Sequence, residues 1–105
     1  MINDIQEEIR IWHARNFPGS TLPLAALVLS EETGEVSRAV TKMIQGIRGT
    51  KEEWEVELKK ELGDVIIAAL SLANHAGLNI EDVILSRWSD ISSRDWTSDK
   101  IGQGI

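Results

Sequence analysis

The stretch Val28-Leu29-Ser30-Glu31-Glu32-Thr33-Gly34-Glu35-Val36 decides how this chain is read. At about 100° per residue, Ala25, Val28, Val36, Ala39 and Met43 all fall within roughly 40° of Glu32. The spacing therefore predicts a helix whose apolar stripe has a carboxylate at its centre. Glu35 lies near Val28 on the edge of that stripe, and Glu31 lies further round on the same side.

Outward from this stretch, helical signals continue in both directions. Ser20 or Thr21 can cap the helix, Pro23 is tolerated in its first turn, and Gly46 and Gly49 interrupt it after about Gln45. Upstream, Asn3 to Asn16 reads as a first helix with Ile5, Ile9 and Trp12 along one face, ended by Asn16-Phe17-Pro18-Gly19. Downstream, Thr50-Lys51-Glu52-Glu53 is a capping-box pattern that opens a third helix, which runs to about Ala76 and stops at Gly77. Asn79 caps a fourth helix to about Ile91, with Glu81 and Asp82 favourably placed in its first turn. No segment alternates as a strand does. The fold class is all-α, an antiparallel bundle of four main helices over residues 1–91, followed by a polar tail over 92–105 that is expected to be loosely held except around Trp96.

With 105 residues the chain is one modest domain, and a domain of that size buries only about 60–70% of its unfolded surface. Self-association into a homo-oligomer, dimer or tetramer, is therefore expected. Apolar residues make up 42% and charged residues 27%, ordinary for a soluble protein. There is no cysteine, which excludes disulfides and thiolate metal sites. No basic stretch followed by an apolar core opens the sequence, and the longest apolar run, Leu22 to Leu29, is too short to span a bilayer. These features point to a cytoplasmic protein with no membrane partner. The net charge of −6 disfavours polymeric nucleic acid as a partner and suits hard divalent cations.

A second acidic stretch, Glu61-Leu62-Gly63-Asp64, falls in the third helix. Residues three or four apart share a helical face, so each of two helices presents a carboxylate pair. Such charges are ordinarily a solvated face. Here Glu32 sits among apolar positions, and Glu61 borders the stripe of Leu58, Leu62, Val65, Ala69, Leu72 and Ala73, with Asp64 further out near Ala68. No Lys or Arg lies within either stripe to offset the cost of drawing carboxylates toward a core, which makes a shared metal the less costly explanation. Gly34 and Gly63 sit inside these motifs, each costing about 1 kcal/mol relative to Ala in a helix. Close helix approach or room for a ligand would offset that.

The pattern EExxE followed after an interval by ExxD resembles the all-α nucleoside triphosphate pyrophosphohydrolases, the MazG, dimeric dUTPase and HisE-like enzymes, over about residues 1–90. The resemblance implies a MazG-like catalytic domain that cleaves (d)NTPs between the α and β phosphates to (d)NMP and pyrophosphate. It implies Mg²⁺ as cofactor, with Mn²⁺ a possible substitute, held by Glu32, Glu35, Glu61 and Asp64. Glu31 would be an additional ligand or the catalytic group that activates water. It also implies self-association. The chemistry is coherent, since divalent ions reverse the repulsion between carboxylates and a polyphosphate, and phosphoryl chemistry needs no Ser or Cys nucleophile.

Substrate-binding candidates are Arg38 and Lys42, which continue the Glu31–Glu35 side of their helix, and Trp12, which can stack on a base if the first helix covers the pocket. Exposed ion pairing for the cations and core packing for the tryptophan are the plainer readings. By the resemblance, Asn74 would contact sugar or base. Lys59 and Lys60 read as solvated. Ser71 and His75 share the Asp64 face, with surface or capping roles expected, and His13 is ambiguous. A carboxylate-bridged di-iron bundle wants Glu-x-x-His, and neither histidine has a Glu three residues before it. The alternative from another class is a non-catalytic helical interaction or nucleotide- or metal-binding module.

Overall fold

The computed structural model describes residues 1–97, among which there are four helices and no strand. They are α1 (Ile2–Asn16), α2 (Leu22–Gln45), α3 (Lys51–His75) and α4 (Ile80–Ser92). The boundaries follow from local chemistry. The Thr21 hydroxyl accepts from the Leu24 amide at the start of α2, with Pro in the first turn. Gly46, at φ 67°, takes the left-handed conformation that ends α2 and that a side chain would disfavour. Thr50 and Glu53 satisfy each other's backbone amides at 3.1 and 3.2 Å, the reciprocal cap foreseen for α3. Gly77 repeats the left-handed stop at φ 70°, and Asn79 Oδ1 accepts from the Asp82 amide to open α4. Residues 98–105 of the expected polar tail lie outside the described residues.

The connection at 46–50 folds α3 back along α2, and this hairpin is the main packing unit. Its buried side chains are mostly small: Ala25 and Ala39 on α2, Ala68 and Ala73 on α3, with Leu70 the one large side chain fully covered. The α1 helix lies against α3, and α4 packs mainly against α1. Packing thus runs in the series α2–α3–α1–α4.

Two faces differ from the wheel reading. On α1, Ile5 and Trp12 are exposed, and of the expected face only Ile9 turns inward, together with Ile2, Gln6 and His13. On α3, the Asp64–Ala68–Ser71–His75 line is not a surface: Ala68 and Ser71 are buried, and Asp64 and His75 half-buried. The cause is that α3 has neighbours on two sides, α2 and α1, so it needs two inward stripes. A wheel centred on its largest apolar residues finds only one.

Gln6, 7% exposed, holds the joint between α1, α3 and α4. Its Nε2 donates to Asn74 Oδ1 at 3.0 Å and to the Leu78 carbonyl at 2.8 Å, and its Oε1 accepts from the Ile80 amide at 3.0 Å. Asn74 Nδ2 returns a bond to the Gln6 carbonyl at 3.1 Å. A buried amide is tolerable only when its donors and acceptor are matched, and here they are.

Much apolar surface remains uncovered. Ile44 is 81% exposed and Leu27 67%, and Val83, Ile84, Leu85 and Trp88 of α4 are all exposed. The radius of gyration is 16.9 Å, against about 13 Å for a compact chain of this length.

Replacing Gln6 with Leu leaves the Ile80 amide, the Leu78 carbonyl and Asn74 Oδ1 unmatched, while Asn74 Nδ2 keeps its bond to the backbone carbonyl of residue 6. The expected loss is about 2–3 kcal/mol, against about 1 kcal/mol for Thr50→Ala, which removes half of a solvent-facing cap. Urea unfolding at one fixed protein concentration checks both values and their order.

Candidate metal centre and its cleft

Because α2 packs on α3 through the small side chains of Ala25 and Ala39, longer side chains projecting from the two helices can meet. Glu32 from α2 and Glu61 and Asp64 from α3 each offer a carboxylate oxygen, and these oxygens lie within 4.8 Å of one another. All three residues are half-buried. Among the described residues no ion pair reaches the group: those present join Met1 to Asp4, Arg10 to Glu7, and Arg87 and Arg94 to Asp90. Partial burial raises the pKa of Glu61 above the ordinary glutamate value, helped by the charges of Asp64, Glu35 and Glu32 and opposed by Lys60. An all-oxygen, like-charged donor set of this kind suits a hard divalent cation such as Mg²⁺.

The other two acidic residues of the α2 motif stand differently. Glu35 is exposed and outside the close group, yet near enough for its charge to act on Glu61. Glu31 is exposed and also outside it. Gly34 and Gly63 are not sites of close helix approach, since a Cβ at either would meet nothing within 4 Å. That excludes close helix approach as the reason for either glycine.

Glu32 and Asp64 also line a cleft of about 640 Å³, within the size range of small-molecule sites. Its walls are Leu24, Ala25 and Val28 from α2, Ile67, Ala68 and Ser71 from α3, and His13, Phe17 and Ser20 from α1 and the turn after it. Along α3, Asp64 and Ser71 are seven residues apart, about 10 Å at 1.5 Å per residue, so the carboxylates occupy one end and the aromatic rings the other. A second hollow of about 280 Å³ shares His13, Phe17, Ser20 and Ser71 and continues to Asn74 and His75.

The sequence-level substrate candidates take other places. The Arg38 guanidinium lies 5.2 Å over the Trp54 ring, and Lys42 Nζ donates to Gln45 at 3.3 Å; neither lines the cleft. Trp12 is half-exposed, with its ring edge-on to His13 and Phe17, and does not line the cleft. Asn74 lines the second hollow while locked to Gln6. The wall residues missed from sequence are Phe17, Ser20 and Ser71. Phe17-Pro18-Gly19 reads as a helix breaker, and nothing local shows that the break is also a wall.

The two histidines have distinct ring chemistry. His75 Nδ1 lies 2.8 Å from the Ser71 carbonyl, which can only accept, so Nδ1 carries the proton and Nε2 of the neutral ring is an acceptor. His13 Nδ1 is buried without a partner. An orphaned N–H is rarer and costlier than an orphaned lone pair, so the neutral His13 ring takes the tautomer with Nε2–H as its donor. The rings meet edge to face with centroids 6.2 Å apart.

A family model described as the MazG nucleotide pyrophosphohydrolase domain matches residues 21–96. The chain is also similar to "Uncharacterized protein YpjD" of Bacillus subtilis (strain 168), with 26% identity over 106 residues, covering 97% of this chain and 96% of that protein. No solved structure matches it.

The raised Glu61 pKa sets a sign for the metal-free protein. A carboxyl that holds its proton more tightly when folded stabilises the fold at low pH, and that contribution is lost as pH rises through its raised value. Melting temperature should therefore fall over that interval in metal-free buffer, and Glu61→Gln should flatten this part of the profile. Mn²⁺ affinity should weaken on acidification from a higher pH than an ordinary glutamate would dictate. Thermal melts and calorimetric Mn²⁺ titrations across pH 4–7 read both trends.

Proposed function

The chain belongs to the MazG nucleotide pyrophosphohydrolase family, and from that premise we propose that it is a Mg²⁺-dependent enzyme cleaving (d)NTPs between the α and β phosphates, giving (d)NMP and pyrophosphate. The observation that carries this reading is the meeting of Glu32, Glu61 and Asp64 within 4.8 Å at one end of a cleft large enough for a nucleotide.

Glu32, Glu61 and Asp64 would hold the ion, with Glu35 completing the set from the exposed side. Bound there, Mg²⁺, or Mn²⁺ in its place, supplies charge neutralisation for the phosphates and acidifies its water. Glu31, beside the close group on α2, serves as a further ligand or takes the proton of the attacking water. Val28, Ile67 and Ala68 give the cleft apolar walls beside the reacting end. Positioning and charge cancellation are most of what phosphoryl transfer requires, which is why a site without a nucleophilic Ser or Cys suffices.

The working protein on this reading is a homodimer or homotetramer in the cytoplasm. The uncovered faces of α2 and α4 support self-association, and no helix among the described residues is long and apolar enough to cross a membrane.

Incubation with a panel of nucleoside triphosphates and Mg²⁺ should release pyrophosphate, and Glu61→Gln or Asp64→Asn should lower turnover at least about 100-fold with helicity retained. Release of orthophosphate alone would show that the bond assignment is wrong. Nucleotide binding without turnover across the panel would favour a binding module over an enzyme. Sedimentation at micromolar concentration should give a dimer or larger, and a stable monomer would contradict the assembly.

A further inference from the structure

We propose that α1 is a hinged wall of the cleft. It turns about its joint at Gln6, and its far end, His13 with the turn at 17–20, moves to widen or narrow the space beside Glu32 and Asp64. The motion is read from the fold, and only the ligand that fixes it rests on the pyrophosphohydrolase reading.

Three observations converge. The polar ties of α1 to the rest of the fold lie at one end. Asn3 donates to Glu81, and Gln6 is bonded to Asn74, Leu78 and Ile80. Of these, the Gln6–Asn74 exchange is the tie to the α2–α3 hairpin. Among the described residues no hydrogen bond or ion pair joins residues 7–20 to α2, α3 or α4. The polar groups of that span are turned on one another instead. Arg10 pairs with Glu7, Asn16 Nδ2 donates to the Trp12 carbonyl, and the Phe17 and Ser20 amides donate to the His13 and Phe17 carbonyls.

The contact at the far end is also one that α1 can give up without losing a hydrogen bond. The His13 ring meets His75 edge to face, and its buried Nδ1 has no partner. A buried polar atom left unmatched is a cost of the position it occupies, and an outward turn of α1 returns that nitrogen to water. The turn that follows has room to adjust, since a Cβ at Gly19 would meet nothing within 4 Å, and hinge motion is absorbed at a few such loop positions. The moving end walls the cleft through His13, Phe17 and Ser20. None of Glu32, Glu61 and Asp64 lies on α1, so the movement changes the width of the cleft and leaves the carboxylates together. At 1.5 Å per residue Arg15 stands about 13 Å along the helix from Gln6, so a tilt of about 10° carries that end about 2 Å.

The chain has no cysteine, so spin-label pairs can be placed in the intact protein without background. Arg15→Cys with Ser37→Cys reads the far end of α1 against α2, and Glu8→Cys with Ser37→Cys reads the end beside the hinge; all three positions are exposed. Each labelled chain is prepared in excess unlabelled protein, so that distances within one chain are measured. The probes are the non-cleavable α,β-methylene analogues of ATP, GTP, CTP and UTP with Mg²⁺. Without nucleotide, the Arg15 pair should give a clearly broader distance distribution than the Glu8 pair. A bound analogue should narrow the Arg15 distribution and shift its mean by about 2 Å, with a smaller shift at Glu8. Equal widths that no bound analogue alters would overturn the hinge, and calorimetric binding in those samples would spare the pyrophosphohydrolase reading. Equal shifts at both positions would show α1 sliding as a whole and would also overturn it. A broader Arg15 distribution with no analogue bound at all would support the hinge and remove the pyrophosphohydrolase reading.

Discussion

Small side chains at the α2–α3 seam are the constraint from which the rest of the structure follows. The distance between packed helices is set by the residues at their contact. With Ala25 and Ala39 buried on α2, whose main packing partner is α3, the α2 side of the seam contains little to hold the helices apart. Longer side chains flanking it then meet across the gap, and at one level those side chains are Glu32, Glu61 and Asp64. The carboxylates do not converge because they attract; the Glu61 pKa is raised first by burial and then by the like charges of Asp64, Glu35 and Glu32. They converge because the apolar packing on either side of them dictates it. A site prepared at the expense of its own electrostatics is poised for a cation.

What could be read from sequence was what local chemistry decides. Thr21, Thr50 and Asn79 cap their helices, and Gly46 and Gly77 end theirs, because each acts on backbone groups within four residues of itself. The carboxylate pairs were legible for the same reason, being three residues apart on single helices. A meeting of carboxylates across the two helices was foreseen from the cost of putting Glu32 in an apolar stripe, and the structure brings Glu32 to Glu61 and Asp64. The same wheel put Glu35 on the edge of the stripe and Glu31 further round, and the structure sets both outside the close group.

What sequence left dark depends on partners far along the chain. Gln6 looks like any polar residue on an amphipathic helix until Asn74, Leu78 and Ile80 arrive around it. Ser71 looks exposed until α1 covers it. Arg38 looks like a phosphate ligand until Trp54, from the neighbouring helix, takes its guanidinium on its ring face. In each case the single-helix pattern was sound and the second helix reversed its meaning. The apolar residues of α2 and α4 that stay uncovered are the same limit seen from outside, since nothing among the described residues packs over them.

The Gln6 joint has a mechanical consequence. One side-chain amide ties the start of α4 and the end of α3 to α1, and two turns further along α1 stands His13, part of the cleft wall. A helix transmits displacement along its axis with little give. Any tilt of α1 that widens the cleft must therefore swing α4 with it, so the exposed apolar face of α4 and the width of the cleft form a lever with Gln6 as its pivot.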